Sequence, residues 1–185
     1  MKWALVALAL VAAPVQAQEC FSGKPRQVTY DDGRVFTIIQ RHGDDVTYTV
    51  PFAGFQDAVT KTQLMLFPKQ GRAGARSTEY RWKSRLPKSK DMVPGYAFDI
   101  EGTMKSGDGE ALPYRNTGSV LRVEEVLVGE CSYPALVVQI DTYLNDELIL
   151  TGTDYLSLDM MVILKREFVP ISSGQMIASA VVALE

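Results

Sequence analysis

The sequence is poor in the residues that most metal sites and many enzymes use. It contains one histidine, His42, and two cysteines, Cys20 and Cys131, among 185 residues. A structural zinc site needs four ligands of the His and Cys type, and these three residues cannot supply them. The sequence also lacks the His-Glu-x-x-His, Gly-x-Ser-x-Gly and Gly-x-x-x-x-Gly-Lys-Ser/Thr motifs. It therefore predicts no metal ion, no cofactor and no catalytic residue.

Long apolar segments and an excess of positive charge are also missing. After residue 17, no segment reaches the 18 consecutive apolar residues of a membrane-spanning helix. The net charge is −3, so no overall positive potential favours nucleic acid. We therefore expect neither a transmembrane segment in the mature chain nor a nucleic-acid partner.

The first 17 residues have the pattern of a Sec-type signal peptide. A short start containing Lys2 precedes the apolar run of residues 4–13, and Pro14 ends that run. Ala17 then completes a small-residue cleavage site. The pattern predicts a periplasmic or secreted protein, with residues 18–185 forming a single domain. The alternative is that this run forms a buried N-terminal helix.

The two cysteines are predicted to form one disulfide bond. Cys20 lies three residues after the predicted cleavage site, a position that also raises lipid modification as an alternative. Glu19 fits poorly before a lipid-modified cysteine, and lipidation would leave Cys131 as a free thiol in an oxidising compartment. Pairing of Cys20 with Cys131 is the simpler interpretation, with two free thiols as a third alternative.

The rest of the chain has the pattern of short β-strands separated by turns. Asp32-Gly33 between β-prone segments is a hairpin signal. Residues 76–86 alternate, with Tyr80 and Trp82 on one face and charged residues on the other, as in a half-buried strand. We count ten or eleven such segments and find no helical stripe and no alternation of strands with helices. The predicted fold is one all-β antiparallel domain, a curled sheet, half-barrel, barrel or sandwich, with at most one or two short helices.

Several local predictions accompany this fold. Residues 62–67 and 160–168 are each predicted to be a single strand, and Asn145-Asp146 to be a turn. His42 is predicted to lie in an exposed turn. The methionines Met160, Met161 and Met176 are expected to fill the core.

A short segment near the C-terminus resembles a known group of proteins. Residues 152–159, Gly-Thr-Asp-Tyr-Leu-Ser-Leu-Asp, precede an apolar strand that contains Lys165. This segment resembles the closing hairpin of uncharacterised bacterial periplasmic proteins with the pattern T-x-Y-x-S-x-[DE]. Some of those families are similar to the curved antiparallel sheets of LolA/LolB lipoprotein carriers. The resemblance, confined to the C-terminal third, implies an envelope location and β architecture, and it implies no catalytic residue.

The one strong asymmetry in the sequence is a basic region. Residues 69–90 contain eight basic residues opposed only by Glu79. Successive residues of one strand face lie about 7 Å apart, so the predicted strand places a row of cations on one side. Such a row suits phosphates, anionic lipid headgroups or an acidic protein. The alternative is an edge strand whose cations prevent edge-to-edge pairing. The candidate anion-binding residues are Arg76, Arg81, Lys83 and Arg85.

These patterns leave three hypotheses for function. The first is a non-catalytic exported envelope protein that binds an amphipathic or anionic partner by an apolar concave face, the basic strand, or both. The second is a module that docks to another envelope protein, and the third is a hydrolase that uses a pair of carboxylates. An internal apolar cavity of several hundred Å³ favours the first. A filled core with an exposed apolar patch favours the second, and two carboxyl groups about 5 to 9 Å apart in a cleft favour the third.

Overall fold

The computed structural model describes residues 19–51 and 58–185, so the predicted signal peptide lies outside the described residues. Their regular structure consists of β-strands and one 3₁₀ turn at Ser89–Asp91. The strands are β1 (Gln27–Tyr30), β2 (Val35–His42), β3 (Asp45–Val50), β4 (Ala58–Gln63), β5 (Phe67–Ala73), β6 (Arg76–Trp82), β7 (Ala97–Ser106), β8 (Leu112–Val128), β9 (Cys131–Leu144), β10 (Glu147–Ser157), β11 (Val162–Pro170) and β12 (Ile177–Leu184).

The strands form a closed antiparallel barrel. Each strand pairs with its neighbours in the chain, and β1 pairs with β12 to complete the ring. Val28 lies opposite Leu184 at this closing seam. The predicted all-β antiparallel fold is therefore confirmed, and the barrel is the form it takes. Closure gives every strand two partners within the barrel, so the ring itself has no free edge that could pair with another chain.

Two predicted turns are present. Asp32-Gly33 connects β1 to β2, and Asn145-Asp146 connects β9 to β10. Both Asn145 and Asp146 have positive φ, 53° and 64°, as a tight two-residue hairpin requires. His42 is exposed, as predicted, but it is the last residue of β2 and does not lie in the turn, which is formed by Gly43 and Asp44.

The predicted strand over residues 62–67 is wrong. β4 ends at Gln63 and β5 begins at Phe67, with a tight turn over residues 64–66. Leu64 and Met65 adopt φ of 55° and 59°, which is unfavourable for residues with a Cβ. Both are nevertheless buried, Leu64 completely. Burial of these apolar side chains offsets the backbone strain, and an apolar run alone does not reveal such a turn.

The predicted strand over residues 160–168 also starts too early. Met160 and Met161 lie in the turn before β11, and Met161 has a φ of 55°. Both are buried, as expected. Met176 is not part of the core: it is 66% exposed in the connection between β11 and β12. Met176 is exposed because it lies in the connection next to a turn and not in a strand that faces the core.

One end of the barrel is filled by apolar residues. The connections there contribute buried side chains to the same cluster as the inward-facing strand residues. They come from the β4–β5 turn, the β6–β7 segment and the β10–β11 turn. Representative members are Leu64, Leu66, Leu86, Met92 and Met161. This end is therefore plugged, whereas the connections at the other end that the structure describes, all but residues 52–57, bury few apolar residues.

A second apolar cluster lies on the opposite face of part of the sheet. Along β9, Leu136 and Val138 belong to the plugged core, whereas Ala135 and Val137 belong to this second cluster. The β8–β9 hairpin extends past its neighbours, because β7 pairs with β8 only as far as Ser119. The extension contacts the non-adjacent strands β11 and β12. It therefore covers this side of the barrel as a second layer.

The disulfide ties the start of the described chain to the tip of this hairpin. Cys20 and Cys131 are bonded, 111 residues apart in sequence, which agrees with the predicted pairing. Phe21 packs against the second cluster beside the bridge. The bridge therefore fixes both the segment before β1 and the hairpin extension.

We expect removal of this bridge to destabilise the protein strongly. The chain-entropy model gives about 4 to 5 kcal/mol for a closed loop of this length, and measured losses are usually about 2 to 4 kcal/mol. Urea unfolding of Cys20→Ala/Cys131→Ala against the oxidised protein measures the difference. Cys20→Ala alone in reducing buffer is the control, since it should match the double variant. Equal stability of the oxidised protein and the double variant would contradict the prediction.

Candidate functional site: the open lumen of the barrel

The lumen contains a cavity of about 320 Å³ at the end opposite the plug. Leu66, from the plugging β4–β5 turn, lines its inner end. Strand residues from β6, β7, β8, β9, β10 and β11 form its wall. A volume of this size lies at the lower end of the range for small-molecule sites.

Aromatic and apolar side chains form the outer part of the wall. The rings of Tyr80 and Tyr114 meet edge to face with centroids 5.0 Å apart. Met104 lies opposite Leu112 on the neighbouring strand, and Phe168 faces the same space from β11. An apolar molecule that entered here would lose contact with water on most sides, which favours its binding.

Two glycines make room for aromatic rings on the inward face. A Cβ on Gly118 would come within 2.7 Å of the Phe98 ring, and one on Gly152 within 2.8 Å of the Phe168 Cβ. Gly152 itself lines the cavity. The absence of a side chain at these positions therefore lets large rings pack on the inward face of the sheet.

The inner part of the wall carries an ion pair. Arg166 on β11 donates from Nε to Asp154 Oδ1 at 2.5 Å and from Nη2 to Oδ2 at 2.8 Å. The two residues lie opposite each other in the β10–β11 ladder. Burial lowers the pKa of Arg166, but the charge and hydrogen bonds of Asp154 raise it, and its pKa is raised overall. The arginine therefore stays charged, and its charge is balanced locally.

Neutral polar groups lie beside this ion pair. Asn116 on β8 and Thr142 on β9 are both buried, and they lie opposite each other in the ladder between these strands. Burial raises the pKa of the Tyr114 phenol, although hydrogen bonds from Thr142 and Asn116 act in the opposite direction. We call Asn116, Thr142, Asp154 and Arg166 the polar floor. It could pair with the polar end of a ligand whose remainder is apolar.

Behind the polar floor lies a compact polar and aromatic layer. Arg34 donates to Ser179 Oγ at 3.0 Å and lies 5.5 Å from the Tyr30 ring centroid. Tyr30 donates to the Ile163 carbonyl oxygen at 2.6 Å. Tyr48 stacks on Phe36 at 4.9 Å. These groups satisfy one another, so this layer supports the floor and leaves little room for a ligand.

Exposed apolar residues lie along the β8–β12 side of the open end. The β9–β10 turn and the start of β8 are joined there by a hydrogen bond from Asn145 to the Pro113 carbonyl oxygen. Ile171 donates similarly to Ile149, joining the β11–β12 connection to β10. We call the exposed apolar residues of these joined segments the apolar rim. Its members are Leu112, Leu148, Ile149, Ile171, Met176 and Ile177.

The predicted anion-binding residues lie on different faces of the sheet: Arg81 is on the outer face of β6, whereas Arg76 is in phase with Tyr80 of the cavity wall. Arg81 pairs with Glu79 at 3.1 Å, and Lys83 pairs with Glu101 at 3.0 Å. Arg76 is exposed at the start of β6, and Arg85 lies beyond the end of β6. The predicted row of Arg81, Lys83 and Arg85 on one strand is therefore wrong, because β6 stops at Trp82. Anion binding by these residues stays a prediction.

The polar floor was not predicted from the sequence. The sequence signal for such a floor is a polar residue on the strand face that otherwise carries inward-facing residues. Asn116 shares a face of β8 with Gly118 and Val120, and Arg166 shares a face of β11 with Phe168. A polar residue in phase with the core indicates a buried polar group. The identity of its partner on another strand depends on register, which composition does not give.

Comparison with known proteins adds a fold relationship. No family model matches the sequence, and no curated protein matches it. Its structure is similar to the crystal structure of the hypothetical lipoprotein YmcC from Escherichia coli K12. The TM-score is 0.52 at 8% sequence identity, over 92% of this chain and 93% of that chain. At this identity the likeness shows a shared fold, and the resemblance to LolA/LolB carriers stays a prediction.

Within residues 19–51 and 58–185, no three His, Cys, Asp or Glu side chains are grouped closely enough to hold a metal ion. No helix in the same ranges is long and apolar enough to cross a membrane.

We expect the Arg166–Asp154 pair to contribute to stability as a unit. Asp154→Asn or Arg166→Leu alone should lower the free energy of unfolding by about 2 kcal/mol. Loss of one partner of a fully buried pair costs roughly 3 to 5 kcal/mol. The lower value applies because 37% of the Arg166 side chain is exposed. Urea unfolding of both single variants and the double variant forms a thermodynamic cycle. Strictly additive losses would contradict coupling.

We also expect the lumen tyrosines to resist ionisation. Burial raises the pKa of Tyr30, Tyr48, Tyr80 and Tyr114 above the ordinary value of about 10. Above that pH the unfolded chain loses these protons while the folded chain keeps them. The contribution of these four tyrosines to the free energy of unfolding is therefore fully present below about pH 10 and is lost as the pH rises further. Absorbance at 295 nm should show late, cooperative ionisation together with unfolding. Gradual titration of all tyrosines near pH 10 in the folded protein would contradict this.

Proposed function

We propose that this protein is an exported, non-catalytic binding protein that holds a small amphipathic molecule in the barrel lumen. The observation that carries the proposal is the cavity of about 320 Å³, with an apolar and aromatic outer wall and a polar floor. The apolar rim beside its opening offers an apolar path for entry. A hydrocarbon chain would lie against Tyr80, Met104 and Phe168, with its polar end at the floor.

Three features support export. The N-terminal sequence has the pattern of a cleaved signal peptide. Disulfides such as Cys20–Cys131 form and persist mainly in oxidising compartments. The structural neighbour is described as a hypothetical lipoprotein, which is in keeping with the bacterial envelope. On these grounds we propose that this chain is exported to the periplasm or to the outside of the cell.

A binding role fits the floor better than hydrolysis does. Glycoside hydrolysis by two carboxylates needs one of them protonated and free to donate. Both oxygens of Asp154 accept hydrogen bonds from Arg166, so neither oxygen is free to donate a proton to a ligand. The floor therefore favours holding a ligand over transferring a proton to it.

A cavity-filling variant tests the proposal. Leu150 is half-buried in the cavity wall, opposite Thr142. Leu150→Trp should occupy space that a ligand needs and weaken binding of the fluorescent apolar probe N-phenyl-1-naphthylamine at least tenfold. The measurement is fluorescence titration of the protein after solvent extraction.

The matched control places the same side chain outside the lumen. Val123 is exposed on the β8–β9 hairpin extension, so Val123→Trp should bind the probe like the unchanged protein. Equal probe binding by Leu150→Trp and the unchanged protein, with both folded by circular dichroism, would exclude the lumen as the site. Native mass spectrometry of protein purified from the periplasm should also show a copurified small molecule.

A further inference from the structure

Asn116 in the polar floor has an unpaired buried acceptor. Among the described residues, two buried side-chain atoms have no hydrogen-bond partner: Asn116 Oδ1 and Arg41 Nε. Of the two residues, Asn116 lines the lumen cavity. Asn116 is only 2% exposed, so an unpaired polar atom there carries a desolvation cost. A group that enters the cavity and pairs with this atom recovers that cost.

The charges of the floor indicate which groups are suitable. Arg166 already binds both oxygens of Asp154, so the two charges largely cancel. A carboxylate head would meet the Asp154 charge and an arginine whose main donors are in use. An alkylammonium head would meet the Arg166 charge. Both charged heads would also lose their hydration on entry, so an uncharged head is favoured.

The chemistry of the neighbouring side chains narrows the choice further. Oδ1 needs a donor, while the Tyr114 hydroxyl group, which accepts from Thr142 and Asn116, can donate to an incoming acceptor. An alcohol or a primary amide both donates and accepts, so it can pair with Asn116 and with the Tyr114 hydroxyl. An ether accepts but cannot donate, and it would leave Oδ1 unpaired.

The outer wall indicates where the rest of the ligand lies. From Asn116 towards the open end, β8 presents Tyr114 and then Leu112. Leu112 belongs to the apolar rim. A chain that runs outward from the floor therefore stays against apolar surface until it reaches the opening.

We propose that the lumen selects molecules with an apolar chain and an uncharged, hydrogen-bond-donating head, such as long-chain alcohols or primary amides, with the head against Asn116. This inference rests on the proposed function, because it specifies the ligand of the same cavity. It orients the ligand, with the head inward and the chain towards the apolar rim.

Four probes that share one chain test the head group. 1-Decanol, decanamide, decyl methyl ether and decanoate at pH 8 compete with N-phenyl-1-naphthylamine for the solvent-extracted protein. The alcohol and the amide should displace the dye at concentrations at least tenfold lower than the ether and the carboxylate. This ratio corresponds to about 1.4 kcal/mol, the size expected of one hydrogen bond to a buried acceptor.

Two substitutions assign the selectivity to Asn116. Asn116→Leu removes the acceptor at similar volume, so decanol and decyl methyl ether should then compete within about twofold of each other. Asn116→Asp adds a second carboxylate to the floor, so decylammonium should gain at least tenfold in competition. Because each variant is read as a ratio between probes, a partial loss of stability does not obscure the result. If one variant fails to fold, the other still tests whether Asn116 sets the preference for the head group.

Thr117→Leu is the matched control, since Thr117 follows Asn116 in β8 and points to the opposite face of the sheet. Its probe ratios should equal those of the unchanged protein. Equal competition by decanol and decyl methyl ether, or a preference that survives Asn116→Leu, would overturn the inference while leaving lumen binding intact. Failure of every decyl probe, together with unchanged dye binding by Leu150→Trp, would instead overturn the proposed function.

Discussion

The pairing of β1 with β12 is the contact that makes a lumen out of a sheet. Without it, the twelve strands would form an open meander, and the inward-facing residues would lie on a concave surface open along one side. Closure turns one face of every strand towards the same enclosed volume. Arg34, which follows β1, and Ser179 on β12 can then form a hydrogen bond beside the β11 arginine of the ion pair.

The enclosed volume is divided between packing and binding. At one end, apolar turns bury Leu64, Met92 and Met161 and fill the lumen. The strain at Leu64 and Met65, both with positive φ, is tolerated because those side chains complete the plug. At the other end, Gly152 and the half-buried aromatic side chains leave space. The same barrel therefore supplies a stable core and a cavity along one axis.

The polar floor lies between these two regions. Arg166 and Asp154 satisfy each other, whereas Asn116 keeps an unpaired acceptor facing the cavity. Packing alone would favour an apolar side chain at the position of Asn116. An unpaired polar group there is expected where a ligand is recognised. The disulfide from Cys20 to the β8–β9 hairpin holds the outer layer in place and lies apart from this floor.

Much of the fold was predictable, because it depends on local patterns. Alternation of apolar and polar residues indicated strands, and Asp32-Gly33 and Asn145-Asp146 indicated turns that the structure contains. The pairing of Cys20 with Cys131 followed from there being only two cysteines in a chain with a signal-peptide pattern. The prediction of a basic row on one strand was wrong, because it required a strand that continues to residue 86. β6 ends at Trp82, and the chain then turns and buries Leu86 in the plug.

The sequence by itself determined the β architecture, the positions of several turns and the expectation of export, because these depend on neighbouring residues and on composition. Only the tertiary structure decided that the sheet closes, which end is plugged, and that Asn116, Asp154 and Arg166 share one cavity. Those residues lie on three strands, and their meeting depends on the register between strands. Turn geometry, β-bulges and side-chain packing together set this register, and the pattern of apolar residues does not give it.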